Sequence, residues 1–274
     1  MKTQLIYLTC MICILNSYKV YSHYSQKESL SIKQFQGKSL KAIEQNDSLL
    51  YNIQLRIYNA FVQSHITQSD QELLKLERSL NEIYKQSNNS LIAYWYSYTC
   101  YYHSIFYFIT KDNKNSEKIL NEGINTLSEA ETKTSEHFAL LAMMESFSIQ
   151  FAPGTEAIFI SKRVKEDGQK AMDLDSTNLR SYFVLGSSDF YTPEQYGGGE
   201  KAEGYLKKAI LLEDQSMKSP YLPSWGKNSA YELLIRFYIR KQQWDEAKKY
   251  FKEAIALYPD DYMINQLSGE LINH

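Results

Sequence analysis

The sequence predicts an all-α chain, and three observations predict it. From Leu49 onward apolar residues recur in steps of three and four, with no sustained period-two alternation that would mark strands. Glycine (11) and proline (5) are scarce for 274 residues, where a sheet-rich chain with many tight turns would use more of both. The periodic segments are parted by short polar breaks rich in helix start and stop residues: "QSD" at 68–70, "KQSNNS" at 85–90, "KDNKNS" at 111–116, "APG" at 152–154, "LDSTN" at 174–178 and "YPDD" at 258–261. The breaks mark out roughly ten helices of about 15–20 residues, and connections this short make consecutive helices antiparallel. Hydrophobic residues at 43% and charged residues at 23% are ordinary globular usage and exclude disorder as the main state. A net charge of -2 gives no electrostatic pull toward nucleic acid or an anionic membrane.

The chain opens with "MKTQLIYLTCMICILNSYKVYS". Lys2 supplies a positive end, Leu5 to Leu15 is uncharged, and Val20-Tyr21-Ser22 places modest side chains where a signal peptidase cuts. Residues 1–22 therefore read as a cleaved export signal. The apolar run is about half of the roughly 20 residues that span a bilayer, so no permanent membrane helix is expected after cleavage. Cys10 and Cys13 fall inside this segment without the residues that precede a lipoprotein cysteine, and the mature chain would keep only Cys100, so no internal disulfide is expected. An exported, weakly charged chain without disulfides fits a bacterial periplasm or cell envelope. Residues 23–48, rich in Ser, Gln and Lys, read as a polar lead-in.

The repeat domain is expected over 49–274. Its first helix pair spans about 49–87, with "QELLKLERSLNEIY" as second member. The next helix carries "YWYSYTCYYHSIFYF" at 94–108, whose nine aromatics encircle it, so some must reach beyond the local core. Packing between helices is one reading of this run; an aromatic surface for a peptide or apolar ligand is the other. His103 and Cys100 stand three apart on it, but no second pair completes a metal site, and His103 reads as a packed, neutral ring. The five histidines (23, 65, 103, 137, 274) show no ligand spacing. Glu145, in the apolar helix "EHFALLAMMESFSIQFA", reads as a buried carboxylate of interest or as one that simply faces the groove or solvent. No nucleophile motif, cofactor fingerprint or paired carboxylates appear, so neither enzymatic activity nor a cofactor is expected.

A recurring pattern organises the second half. In "AYELLIRFYIRKQQWDEAKKYFKEAIALYPDD", Tyr231, Leu234 and Tyr238 lie on one helix, Ala247, Phe251 and Ala254 on the next, and Pro259 follows. Small residues let the two backbones approach, and the aromatics fill the gaps beside them. This unit resembles a tetratricopeptide repeat (TPR), with Ile235 where glycine is usual. The second-helix pattern returns at Ala202, Leu206 and Ala209, at Ser116, Leu120 and Gly123, and by spacing at Val164, Gly168 and Ala171. Tyr182, Leu185 and Gly186 match the first helix. The last small residues of these copies are 48, 38 and 45 apart, longer than the roughly 34 of a standard repeat, so the loops are enlarged. The resemblance implies a right-handed α-α superhelix of about four or five degenerate helix pairs, closed by a capping helix in "DYMINQLSGELINH".

One enlarged loop is "FYTPEQYGGGEKA", 190–202. A phosphate-binding loop needs Ser or Thr directly after the lysine and a strand before it; Ala202 follows Lys201 and a helix precedes, which excludes a nucleotide site. Between Leu185 and Ala202 the turn is four residues longer than between Leu234 and Ala247. The loop reads as an extended turn or as a recognition edge made of Tyr191, Tyr196 and the amides of Gly197, Gly198 and Gly199, which stand where a helix start holds anions. A second unusual linker at 217–228 adds Tyr221 and Trp225. An export signal, degenerate repeats and this Tyr191-Thr192-Pro193…Gly197-Gly198-Gly199 insertion together are similar to exported TPR proteins of Gram-negative bacteria, loosely to the repeat subunits associated with TRAP transporters. The resemblance implies a scaffold that binds a protein or peptide on a concave surface with this loop as rim. The alternative is a small-molecule or apolar-ligand carrier of a transport system, built on the 94–108 aromatics.

Overall fold

The computed structural model describes residues 46–214 and 219–272. The expected export segment 1–22 and the lead-in up to residue 45, with Cys10, Cys13 and His23, lie outside them. Among the described residues there is no strand, and no helix is long and apolar enough to cross a membrane. Where the sequence reading places one repeat domain over 49–274, these residues divide into two compact units: an N-terminal unit of 46–163 and 219–223, and a C-terminal unit of 164–214 and 224–272.

In the N-terminal unit a single helical turn, Asp47–Leu50, leads into α1 (Ile53–Thr67), α2 (Gln71–Ser87), α3 (Ser90–Ile109), α4 (Asn113–Glu129) and α5 (Ser135–Ser148). The breaks seen in the sequence act as caps. Asn88 takes the left-handed conformation (φ 46°) and stops α2, and its neighbour Asn89 starts α3 by accepting from the amides of Leu91 and Ile92. Asp112 does the same for α4, accepting from the Asn115 amide at 3.1 Å.

Every residue of α3 from Leu91 to Phe106 is buried, as a helix apolar on all sides must be. It packs against α1, α2, α4 and α5. Its most extensive contact is with α4, whose buried residues Ser116, Leu120, Gly123 and Leu127 form one stripe. A Cβ on Gly123 would lie 2.8 Å from Cys100 Cβ, so no larger residue fits there without displacing α3. The closeness is matched by hydrogen bonds across the pair, Ser97 Oγ to Gly123 O and Ser116 Oγ to Ser104 O, both 2.8 Å.

The division between the units falls within α6 (Gly154–Leu174). The C-terminal unit then holds α7 (Leu179–Tyr191), α8 (Ala202–Leu211), α9 (Lys227–Arg240) and α10 (Trp244–Leu257). Adjacent helices pack as pairs, and α7 also meets α9. Val164, Ala171, Leu185, Ala202, Leu206, Ala209, Tyr231, Leu234, Tyr238, Ala247 and Ala254 are all buried. At Gly186 a Cβ would come within 2.9 Å of Leu206 Cγ, and at Gly168 within 2.6 Å of Leu185 Cδ2. Each glycine is thus the socket for a leucine of the neighbouring helix. Tyr182 is half-buried against the same core, its hydroxyl donating to Ser176 O.

Two expectations gain detail. Phe251 packs half-buried against the core, and its neighbour Tyr250 lies deeper, stacked on Tyr238 at 5.6 Å and 2°. The predicted capping helix is two short ones, α11 (Tyr262–Gln266) and α12 (Ser268–Leu271), broken at Leu267. Pro259 stands exposed two residues beyond α10.

Candidate functional site

The loop joining α7 to α8 is held from within. Pro193 precedes a 3-10 turn, Glu194–Tyr196, after which Gly197 (φ 78°) and Gly199 (φ 82°) adopt conformations that residues with a Cβ resist. Between them Gly198 is hemmed in, since a Cβ would sit 1.8 Å from Thr192 O. The Gly197 amide donates to Glu194 O, the Gly198 amide to Pro193 O and the Gly199 amide to Asp189 O. Asp189 Oδ2 also accepts from the amides of Lys201 and Ala202, both at 2.8 Å, and so occupies the start of α8. The expected use of the glycine amides for an outside anion is therefore corrected: all three already have acceptors in the chain, and the anion at this helix start is Asp189. Asp189→Ala should cost about 1 kcal/mol, the usual worth of an N-cap, and Asp189→Asn less, read from urea midpoints.

What the loop presents outward is Tyr196, 70% exposed, beside Glu194, which meets Lys241 Nζ at 3.4 Å. Tyr191 instead is half-buried, edge-on to Phe190 at 4.9 Å. The other predicted linker residues also pack. Tyr221, in the N-terminal unit, lies edge-on to Tyr51 at 5.9 Å, and its carbonyl accepts from Trp95 Nε1 at 3.0 Å. Trp225, in the C-terminal unit, lies edge-on to Phe183 at 6.2 Å, with the Arg180 guanidinium 5.8 Å from its ring and Arg180 Nη1 donating to its carbonyl. Of the aromatic residues proposed from sequence, Tyr196 is the exposed one, and Tyr191, Tyr221 and Trp225 are partly buried.

The 94–108 aromatics pack on each other and on neighbouring elements, with Tyr107 and Phe108 partly buried. Tyr94, Trp95, Tyr96, Tyr98, Tyr101, Tyr102 and Phe106 are buried, and Tyr94, Trp95, Tyr98 and Tyr102 form a chain of ring contacts at 5.0–6.3 Å. Glu145 is buried too, accepting from Arg163 Nε at 2.9 Å.

One constellation was not foreseen. His103, 1% exposed, turns Nδ1 to Glu77 Oε2 at 2.7 Å and Nε2 to Asp70 Oδ2 at 3.2 Å. Tyr107 stacks on the ring at 4.6 Å and donates its hydroxyl to the same Asp70 oxygen at 2.6 Å. Carboxylate oxygens only accept, so each contact is a hydrogen bond when the ring nitrogen facing it carries the hydrogen, and the ring lies between two acids. The ring is packed as expected, and the two acids against it are the addition. Burial acts to raise the Asp70 carboxyl, but the bonds from Tyr107 and His103 outweigh it and hold the group below its ordinary range. The sequence signal was a pair of spacings: Asp70, the N-cap of α2, and Glu77 seven apart, and His103 and Tyr107 four apart on one face of α3. The two nitrogens point to opposite acids, and among the described residues no group of His, Cys, Asp and Glu converges as a metal would require.

No family model matches the chain, and no curated protein matches it.

Proposed function

We propose that this protein is a non-enzymatic, TPR-type interaction scaffold that holds a protein or peptide segment, with the 190–199 loop as the rim of the binding surface. The helix pairs are its repeats, and within each unit they wind as a right-handed α-α superhelix. Support comes from the packing order, in which α1 meets α3, α3 meets α5 and α7 meets α9, besides the chain-neighbour pairs from α1 to α5 and from α7 to α10. That order is expected where first helices of successive repeats stack. The observation that carries the functional reading is the rim: Tyr196 is 70% exposed on a turn whose backbone is fixed by internal hydrogen bonds. A large aromatic on a preorganised turn contributes contact area without an ordering cost on binding. The cell envelope of a bacterium is the proposed location, on the strength of the 1–22 segment. The alternative, a carrier of small or apolar ligands, draws nothing from α3, whose aromatics pack together.

The test is capture of partners from bacterial envelope extract by the chain from His23 to His274, beside Tyr196→Ala. The expected result is a captured protein that the variant loses by roughly tenfold or more, with unchanged circular dichroism, as for an interface hot spot. Equal capture by both chains removes the rim from the proposal, and no capture by either removes the scaffold.

A further inference from the structure

The turn between α4 and α5 hangs on one residue of α3. Ser90 Oγ accepts from the Thr132 amide at 3.2 Å, and Ser90 O lies 2.9 Å from Nε2 of His137, in the first turn of α5. A carbonyl only accepts, so Nε2 carries the hydrogen. On the other side of the ring, Nδ1 is 2.9 Å from Thr134 Oγ1 and 3.3 Å from the Thr134 amide. That amide can only donate, so Nδ1 must be the acceptor. The bonds therefore define one neutral tautomer of a fully buried ring, and a second proton, on Nδ1, would set its N–H against the Thr134 amide and leave only the Thr134 hydroxyl to accept it.

We propose that His137 is an acid-sensitive latch: neutral, it holds the start of α5 on the start of α3, and on taking a second proton it lets the 131–138 segment go. The groups around the ring are consistent with this. From α3 the facing residues are Ser90 and Tyr94, the latter edge-on at 5.7 Å, and neither supplies an anion at neutral pH. From the α4–α5 turn the charged neighbour is Lys133, whose cation opposes a second proton. Glu136, the acidic neighbour on α5, is itself buried. Burial foremost, with Lys133 adding to it and the Ser90 bond working against it, pushes His137 down to about 4 from its ordinary 6.5.

Because the folded value is depressed, the latch is whole above about pH 6.5 and weakens as pH falls through the interval down to about 4. From about pH 7.5 to about pH 5, the opening equilibrium of the segment should rise roughly 30-fold. The measurement is hydrogen exchange of the whole mature chain, expressed as protection factors, for the Phe138 to Leu141 amides against those of α9. A selective fall of that size at the start of α5 is the expected result. His137→Gln, which can give an amide hydrogen to Ser90 O and accept from Thr134 but does not titrate, should flatten the dependence to within about threefold. Equal protection at both pH values, or the same selective fall in the glutamine variant, overturns the proposal. Should that variant fail to fold, nitrogen-15 spectra of the wild-type ring decide: a neutral Nε2–H tautomer while α5 is protected is expected, and a doubly protonated ring in a protected α5 refutes it.

Discussion

Trp95→Ala should destabilise the N-terminal unit by about 3–5 kcal/mol. The indole is fully buried in α3, meets Tyr94 edge-on at 5.0 Å and Tyr98 at 5.6 Å, and donates to Tyr221 O at 3.0 Å. Truncation removes the packing of the ring and leaves its neighbours around a hole that a helix buried on every side cannot collapse to fill. It also takes the donor from the Tyr221 carbonyl. Trp95→Phe separates the two contributions, because it keeps most of the volume and loses the hydrogen bond; about 1–3 kcal/mol is expected there. Urea unfolding followed by circular dichroism reads both. A loss below about 1 kcal/mol for the alanine variant would mean that the aromatic chain of α3 does not act as the core of this unit.

His103→Leu should cost a similar amount, about 3–5 kcal/mol, for an electrostatic reason. The imidazole stands between Glu77 and Asp70, whose side chains are 10% and 23% exposed, and leucine leaves both acids without it. Most of the loss is the cost of a buried carboxylate stripped of its partner, so the second variant matters more than the first. His103→Leu combined with Glu77→Gln should recover a substantial part, which a mere packing defect at position 103 would not allow. The pH dependence has a definite sign. Asp70 is held below its ordinary range in the folded chain, so its contribution is present above the normal carboxylate value and is lost as pH falls through the depressed one. Without His103 this acid-side loss should shrink, and comparison of acid titrations of the two chains by circular dichroism measures it.

The helices were legible in the sequence because their signals are local. Asn88 and Asn89, Asp112, and Asp261, which accepts from the Met263 and Ile264 amides, end or start helices through bonds that reach two to four residues along the chain. The small positions Gly123, Ala171, Ala209 and Ala254 could be read for a related reason, since a recurring short side chain at fixed spacing reports an approach of backbones whatever lies opposite. Where depth turned on a single helical step, the pattern did not rank the neighbours. Phe251 and Tyr250 are adjacent and both aromatic, and only the rotation of α10 against α9 put Tyr250 on Tyr238.

The glycine loop shows the limit for the candidate site. The order of residues marked 190–202 as unusual and excluded a phosphate loop, yet it could not say that Asp189 reaches across twelve residues to cap α8, leaving the glycine amides with acceptors inside the chain. Nor could it separate Tyr196 from Tyr191, Tyr221 and Trp225: an aromatic side chain is equally suited to a rim and to a core, and its neighbours decide. The Asp70–His103–Glu77 cluster and the His137 latch make the same point for charge. What the sequence by itself determined was the helical class, the caps and the faces, all governed by interactions within a few residues. The tertiary structure alone decided which face meets which, and so which aromatics are exposed, which acids are paired and which histidine must stay neutral. Those properties depend on burial and on partners 26 to 47 residues away, and short-range periodicity carries no record of them.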